Sequence, residues 1–137
     1  MKPGASAADP RLRSRAHTSE YPSFRRDGER LVKIGWSKSD RSEYRHRAPK
    51  HVARVLLAAI SALDPAKGLF TVEQLLPLAD PTDGRDIAPH QVYVALAWFK
   101  AEGIVMQHGR DGYSLLVKSE SEALLEERWR SLQKDTQ

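Results

Sequence analysis

No cysteine occurs in the chain, which excludes disulfides, thiolate zinc ligands and a thiol nucleophile. Long apolar runs are also lacking. The two longest, Val55 to Ile60 and Val92 to Phe99, cover six and eight residues, against about twenty for a membrane-spanning helix, so no membrane partner is expected. The first thirty residues hold scattered arginines and no apolar block of the kind a secretory signal needs, and a cytoplasmic location is the expectation. Catalytic signatures are missing too: there is no Gly-rich phosphate loop, nucleophile elbow or carboxylate pair. Five histidines (His17, His46, His51, His90, His108) include no pair at the i, i+4 spacing that would put two imidazoles on one helix face. Asp80, Asp83 and Asp86 fail as a calcium loop, because aligning Gly84 with the turn glycine leaves Pro81 and Ala79 where ligands belong. The expectation is a protein that is not an enzyme and needs no metal or cofactor.

What is present is an uneven distribution of charge over 137 residues, the length of one domain. Residues 1–54 contain fourteen Lys/Arg against six Asp/Glu, net +8; residues 55–137 contain eight against twelve, net −4. A basic segment gains affinity for phosphates through counterion release. Up to about residue 20 the only large apolar residues are Met1 and Leu12, which predicts a disordered basic arm. The rest, 21–137, reads as a single domain. It opens with a β-hairpin over about 22–37, turning at Asp27-Gly28, with Val32, Ile34 and Trp36 on one face. Ser37 to Arg47 reads as a polar link. Across this region Arg25, Arg26, Arg30, Lys33, Arg45 and Arg47 interleave with Tyr21, Phe24, Trp36 and Tyr44, a mixture suited to tracking phosphates and stacking on bases, or to a half-buried hairpin whose arginines face water.

Helix one is predicted over about 49–63, with Pro49 in its first turn and Val52, Leu56, Ala59 and Leu63 as a buried stripe. Lys50 and Arg54 fall opposite that stripe and extend the basic side. Thr71 to Gln74 forms a capping box with Phe70 and Leu75 as a staple, opening a short helix two that Pro77 and Pro81 end by about Asp80. Helix three starts at Pro89, buries Val92, Leu96 and Phe99, and stops at Gly103. Ile104 to Val117 reads as two strands joined by a Gly-rich turn around Arg110. A final helix over about 119–134 carries Leu125, Trp129 and Leu132 on one side.

Three helices, a glycine and a β-hairpin over about 49–117, with Ala88 to Val105 as the third helix running into the hairpin, resemble the winged helix-turn-helix superfamily. The resemblance implies an α+β fold with a three-helix core and a β-hairpin wing, here with an extra N-terminal β-hairpin and a C-terminal helix. It also implies DNA binding in transcriptional control, with the third helix in the major groove and the wing on the backbone or minor groove. Those roles would fall to His90, Gln91, Val94, Ala97 and Trp98 and to Arg110, supplemented by Arg45, Arg47, Lys50 and Arg54 of the basic region. The connection Asp80 to Ile87 is longer than a tight helix-turn-helix allows and places three acids beside Arg85.

Rotation about the helix axis from Val92 sets His90, Val94, Ala97, Trp98 and Ala101 outward, a mostly apolar face. That face suits a protein partner bound through Val94 and Trp98, or cover by the hairpin or final helix of the same chain. The stripe of Leu125, Trp129 and Leu132 likewise suits a homodimer or intramolecular packing.

Overall fold

The structure, a computed structural model, describes residues 20–63, 68–117 and 122–135. The basic arm expected over residues 1–20 lies outside the described residues except for Glu20. The fold is α+β. Three antiparallel strands, β1 (Ser23–Asp27), β2 (Arg30–Ser37) and β3 (Ser42–Pro49), precede helix α1 (Lys50–Ala62), the single turn α2 (Val72–Leu75) and helix α3 (Pro89–Ala101). A hairpin of β4 (Val105–Gln107) and β5 (Tyr113–Leu115) and the helix α4 (Glu122–Ser131) complete it.

The β1–β2 hairpin turns where Asp27-Gly28 predicts, with Asp27 paired to Arg30 across Gly28-Glu29. The polar link expected from Ser37 to Arg47 is instead largely strand: β3 pairs with β2 from Ser37↔Ser42 to Arg30↔Pro49. Its sequence has no apolar alternation because β2 supplies the burial. Alternation along β2 sets Leu31, Lys33 and Gly35 on one face and Val32, Ile34 and Trp36 on the other. Leu31 and Ala48, opposite one another, enter the main core. Val32 lies between Arg25 and Arg47, Ile34 between Ser23 and Arg45; the arginine stems share the face of these two buried side chains. The free edge of β1 is closed by the chain's last described residues. Arg26 N donates to Gln133 O at 2.9 Å and Asp135 N to Arg26 O at 2.8 Å, while Arg26 Nε donates to Leu132 O at 2.9 Å. The bridge at Arg26 takes up part of this edge, which leaves less of it to recruit another strand.

The sheet passes directly into α1. Pro49 is the residue before the first helical turn, and Lys50 N donates to Glu29 O at 2.7 Å, so the hairpin turn satisfies one of the helix's unpaired amides. The capping box at Thr71 forms, with Thr71 N donating to Gln74 Oε1 at 2.8 Å. Gly103 ends α3 in the left-handed conformation (φ 72°), and Ile104 N closes back on Phe99 O at 2.9 Å. Phe70 exchanges both backbone bonds with Tyr113, and their rings stack 5.6 Å apart, which fastens the β4–β5 hairpin to the segment before α2. Val52, Leu56, Leu75, Val92, Leu96 and Phe99 are buried in one core, as their spacing predicts.

Helix α3 differs from expectation on its second side. Val94 and Trp98, expected outside, are 2% and 1% exposed. The helix lies between α1, the β2–β3 part of the sheet and the β4–β5 hairpin, and the Trp98 ring meets Trp129 of α4 edge-on at 6.2 Å. Leu125, Trp129 and Leu132 are accordingly buried within the chain, so the stripe weighed for a homodimer is covered by its own core. Trp98→Ala should therefore cost about 3–5 kcal/mol of stability. An outward tryptophan would cost well under 1 kcal/mol, and equilibrium denaturation separates the two.

A candidate nucleic-acid interface

With Val94 and Trp98 inside, the solvent side of α3 is only in part the set expected. His90, Tyr93, Lys100 and Ala101 are exposed, and Gln91 and Ala97 half-buried. His90, Tyr93, Ala97 and Lys100 follow one another at three- and four-residue steps, the line of a single helix face. Tyr93 is 49% exposed. Of the residues expected on this helix, His90 and Gln91 are accessible, Ala97 partly so, and Val94 and Trp98 are not. Tyr93 and Lys100 were missed, although both stand at helical spacing from His90.

The β4–β5 hairpin adjoins this face. Lys100 Nζ donates to Gln107 Oε1 at 2.6 Å, and Gln107 Nε2 to Gly109 O at 3.2 Å, so the end of α3, strand β4 and the turn carrying the exposed Arg110 form one continuous surface. His108 Nε2 and Ser114 Oγ lie 2.8 Å apart on the hairpin's outer side. Tyr113, half-buried beneath, has its phenol pushed above the usual tyrosine range by burial and by the neighbouring Tyr93 and Glu73, and stays protonated.

The basic residues expected to supplement this surface are answered by acids of the C-terminal segment. Arg45 Nε donates to Asp135 Oδ2 at 3.1 Å and its Nη2 to Oδ1 at 3.4 Å; Arg47 stands 4.0 Å from the same carboxylate. Lys50 Nζ donates to Glu126 Oε1 at 2.9 Å and Arg54 Nη2 to Oε2 at 3.2 Å. The hydrogen bond from Lys50, with Arg54 beside it, holds the Glu126 carboxyl below its ordinary range, and Asp135 raises Arg45. The four cations thus fall in two pairs, Arg45 and Arg47 at Asp135 on the sheet and Lys50 and Arg54 at Glu126 on α1, and in each pair an acid opposes their charge. At the other end of β3, the Tyr21 phenol donates to Glu43 Oε2 at 2.6 Å, which pushes its pKa up to about 12. Among the described residues no group of His, Asp and Glu could hold a metal ion, and no helix is long and apolar enough to cross a membrane.

The long connection before α3 is an ordered loop. Asp80 N donates to Arg85 O and Gly84 N to Asp80 O, at 2.8 and 2.7 Å, while Ile87 N returns to Leu78 O. The Asp80 carboxylate organises it, accepting from Thr82 N at 2.9 Å and Thr82 Oγ1 at 2.7 Å. An ionised carboxylate only accepts, so His51 Nε2, 2.6 Å from Asp80 Oδ2, carries the proton and donates, tying the loop to the first turn of α1. These bonds, those from Thr82 foremost, bring the Asp80 pKa down to about 2 from 3.8. A depressed folded-state pKa gives stability that is complete above the unfolded value and lost as pH falls through the folded one. Acid titration should therefore loosen this loop between about pH 4 and pH 2, and Asp80→Asn should remove that part of the pH dependence. Amide exchange at Thr82 and Gly84 reads it directly.

The chain matches no family model, no curated protein and no solved structure, and the reading of this surface rests on its own residues.

Proposed function

We propose that the chain is a non-catalytic DNA-binding protein of the winged-helix type, acting in transcriptional control, whose contact surface is the solvent face of α3 with the β4–β5 hairpin as its wing. The order α1, α2, α3 and hairpin supports the fold assignment. One observation carries the functional reading: α3 presents hydrogen-bonding side chains, His90, Gln91, Tyr93 and Lys100, in line with the hairpin turn that carries Arg110. Such groups can meet base edges and phosphates, whereas the apolar face that favoured a protein partner through Val94 and Trp98 is buried.

Binding on this surface is weakly charged by itself, with Lys100 and Arg110 as its cations, and phosphate contacts at Arg45, Arg47, Lys50 and Arg54 must compete with Asp135 and Glu126. The exposed Asp83 and Asp86 of the loop before α3 restrain it further. Affinity for duplex is therefore modest and its salt dependence shallow, since the slope scales with the number of phosphates neutralised.

Lys100→Gln and Arg110→Gln should each weaken binding of unrelated duplexes alike and lower the magnitude of the salt slope by about 1. Glu126→Gln, which releases Lys50 and Arg54, should strengthen binding and steepen the slope. Fluorescence anisotropy over a range of salt concentrations measures both. Affinities indifferent to Lys100 and Arg110 would sink the proposed surface.

A further inference from the structure

Helix α3 has no arginine, asparagine, aspartate or glutamate between Pro89 and Ala101. Guanine shows the major groove two acceptors, O6 and N7, which a forked guanidinium matches, and cytosine shows an amino donor, which a carboxylate matches. Neither group stands on this helix. Its one cation, Lys100, is a point charge without a fork, and its Nζ is drawn towards the hairpin by Gln107 Oε1 at 2.6 Å. The exposed His90 and the Tyr93 hydroxyl each carry a donor and an acceptor, so a single contact from either distinguishes the bases poorly.

The rest of the solvent strip is apolar and small. Tyr93 is 49% exposed, Ala97 half-buried and Ala101 exposed. At four-residue steps these three stay within about 80° of one another around the axis, and they form one ridge. The carboxamide of Gln91 is set about 160° round from Tyr93 and does not share this line. Ala97 leaves a notch between the Tyr93 ring and the residues one turn on, where the backbone of the helix can come close to a groove floor. Tyr93 to Ala101 covers about 12 Å at about 1.5 Å per residue, the length of about three to four base pairs.

We propose that this ridge reads the C5-methyl group of pyrimidines in the major groove, with Tyr93 and Ala97 forming the seat of a methyl and Ala101 extending it. The C5-methyl is the one apolar group that a base pair presents there, and apolar side chains are its partners. Thymine carries it, and so does 5-methylcytosine; the two sources share one chemistry. The inference rests on the duplex-binding reading and names what that surface selects.

The full chain is titrated by fluorescence anisotropy with four duplexes of equal length. They are alternating A·T, the same with deoxyuridine for thymine, alternating G·C, and the same with 5-methylcytosine for cytosine. Each methyl contacted should improve affinity about fourfold within a pair, the equivalent of one apolar carbon removed from water. Tyr93→Ser and Ala97→Asn should bring the ratio of methylated to unmethylated duplex close to one, with unchanged circular dichroism. Lys100→Gln should weaken both members alike and keep the ratio, as a phosphate contact does. A gain in both pairs supports a reader of thymine-bearing DNA, and a gain with 5-methylcytosine alone supports a reader of methylated DNA. Equal affinities within both pairs, or a ratio retained by both ridge variants, would overturn the methyl proposal and leave duplex binding standing. A preference for A·T that survives deoxyuridine would move the readout to groove shape and overturn it too. Failure to bind any of the four would overturn the duplex reading itself.

Discussion

The contact of Trp98 with Trp129 determines which way both helices face. Edge-on packing of two large rings, with Lys50 Nζ 5.2 Å above the Trp129 ring, fixes α4 against α3 and α1. Turning Trp98 inward rotates α3 so that His90, Tyr93 and Lys100 meet solvent. Seating Trp129 there brings Glu126, three residues earlier on the same helix, onto Lys50 and Arg54. The surface offered to a ligand and the charge that opposes part of it both follow from this one packing decision.

The helices were legible because their signals are local. Periodicity located α1 and α3 within a residue or two, the Thr71 to Gln74 box marked α2, and Gly103 marked the end of α3. The hairpin turns were legible for the same reason. The facing of α3 was not. Assigning a single buried stripe around Val92 presumes a helix covered from one side, but Val92, Val94, Ala95, Leu96, Trp98 and Phe99 are all buried because sheet, α1 and α4 enclose it. A helix apolar over so much of its circumference is a central helix, and that pattern was available in the Val92 to Phe99 run. Strand β3 carried no such sign, since Ser42 to Arg47 is polar on both faces and its pairing is dictated by β2.

The candidate site was legible in composition and hidden in its pairing. Counting charge along the chain places Arg45, Arg47, Lys50 and Arg54 in one basic stretch. It cannot reveal that Asp135 and Glu126, 90 and 76 residues away from Arg45 and Lys50, close on that cluster in space. The separation of the chain into a basic half and an acidic half is therefore partly an internal complementarity, in which the acidic half covers one end of the basic sheet and leaves Lys33 and Lys38 at the other. Surface ion pairs of this kind add little stability individually; their larger effect is to shape the potential a polyanion would encounter.

The closure of the β1 edge by residues 132–135 bears on how the protein is made. Arg26 and its partner Leu132 are 106 positions apart, so at about 5–20 residues per second of synthesis the edge stands open on the ribosome for roughly 5–20 s before its partner exists. Trp98 waits in the same way for Trp129. All three strands, residues 23–49, are thus made well before the segment that borders β1. The border of the sheet is therefore set by contacts distant in sequence, the kind whose loop-closure entropy makes them slow to form.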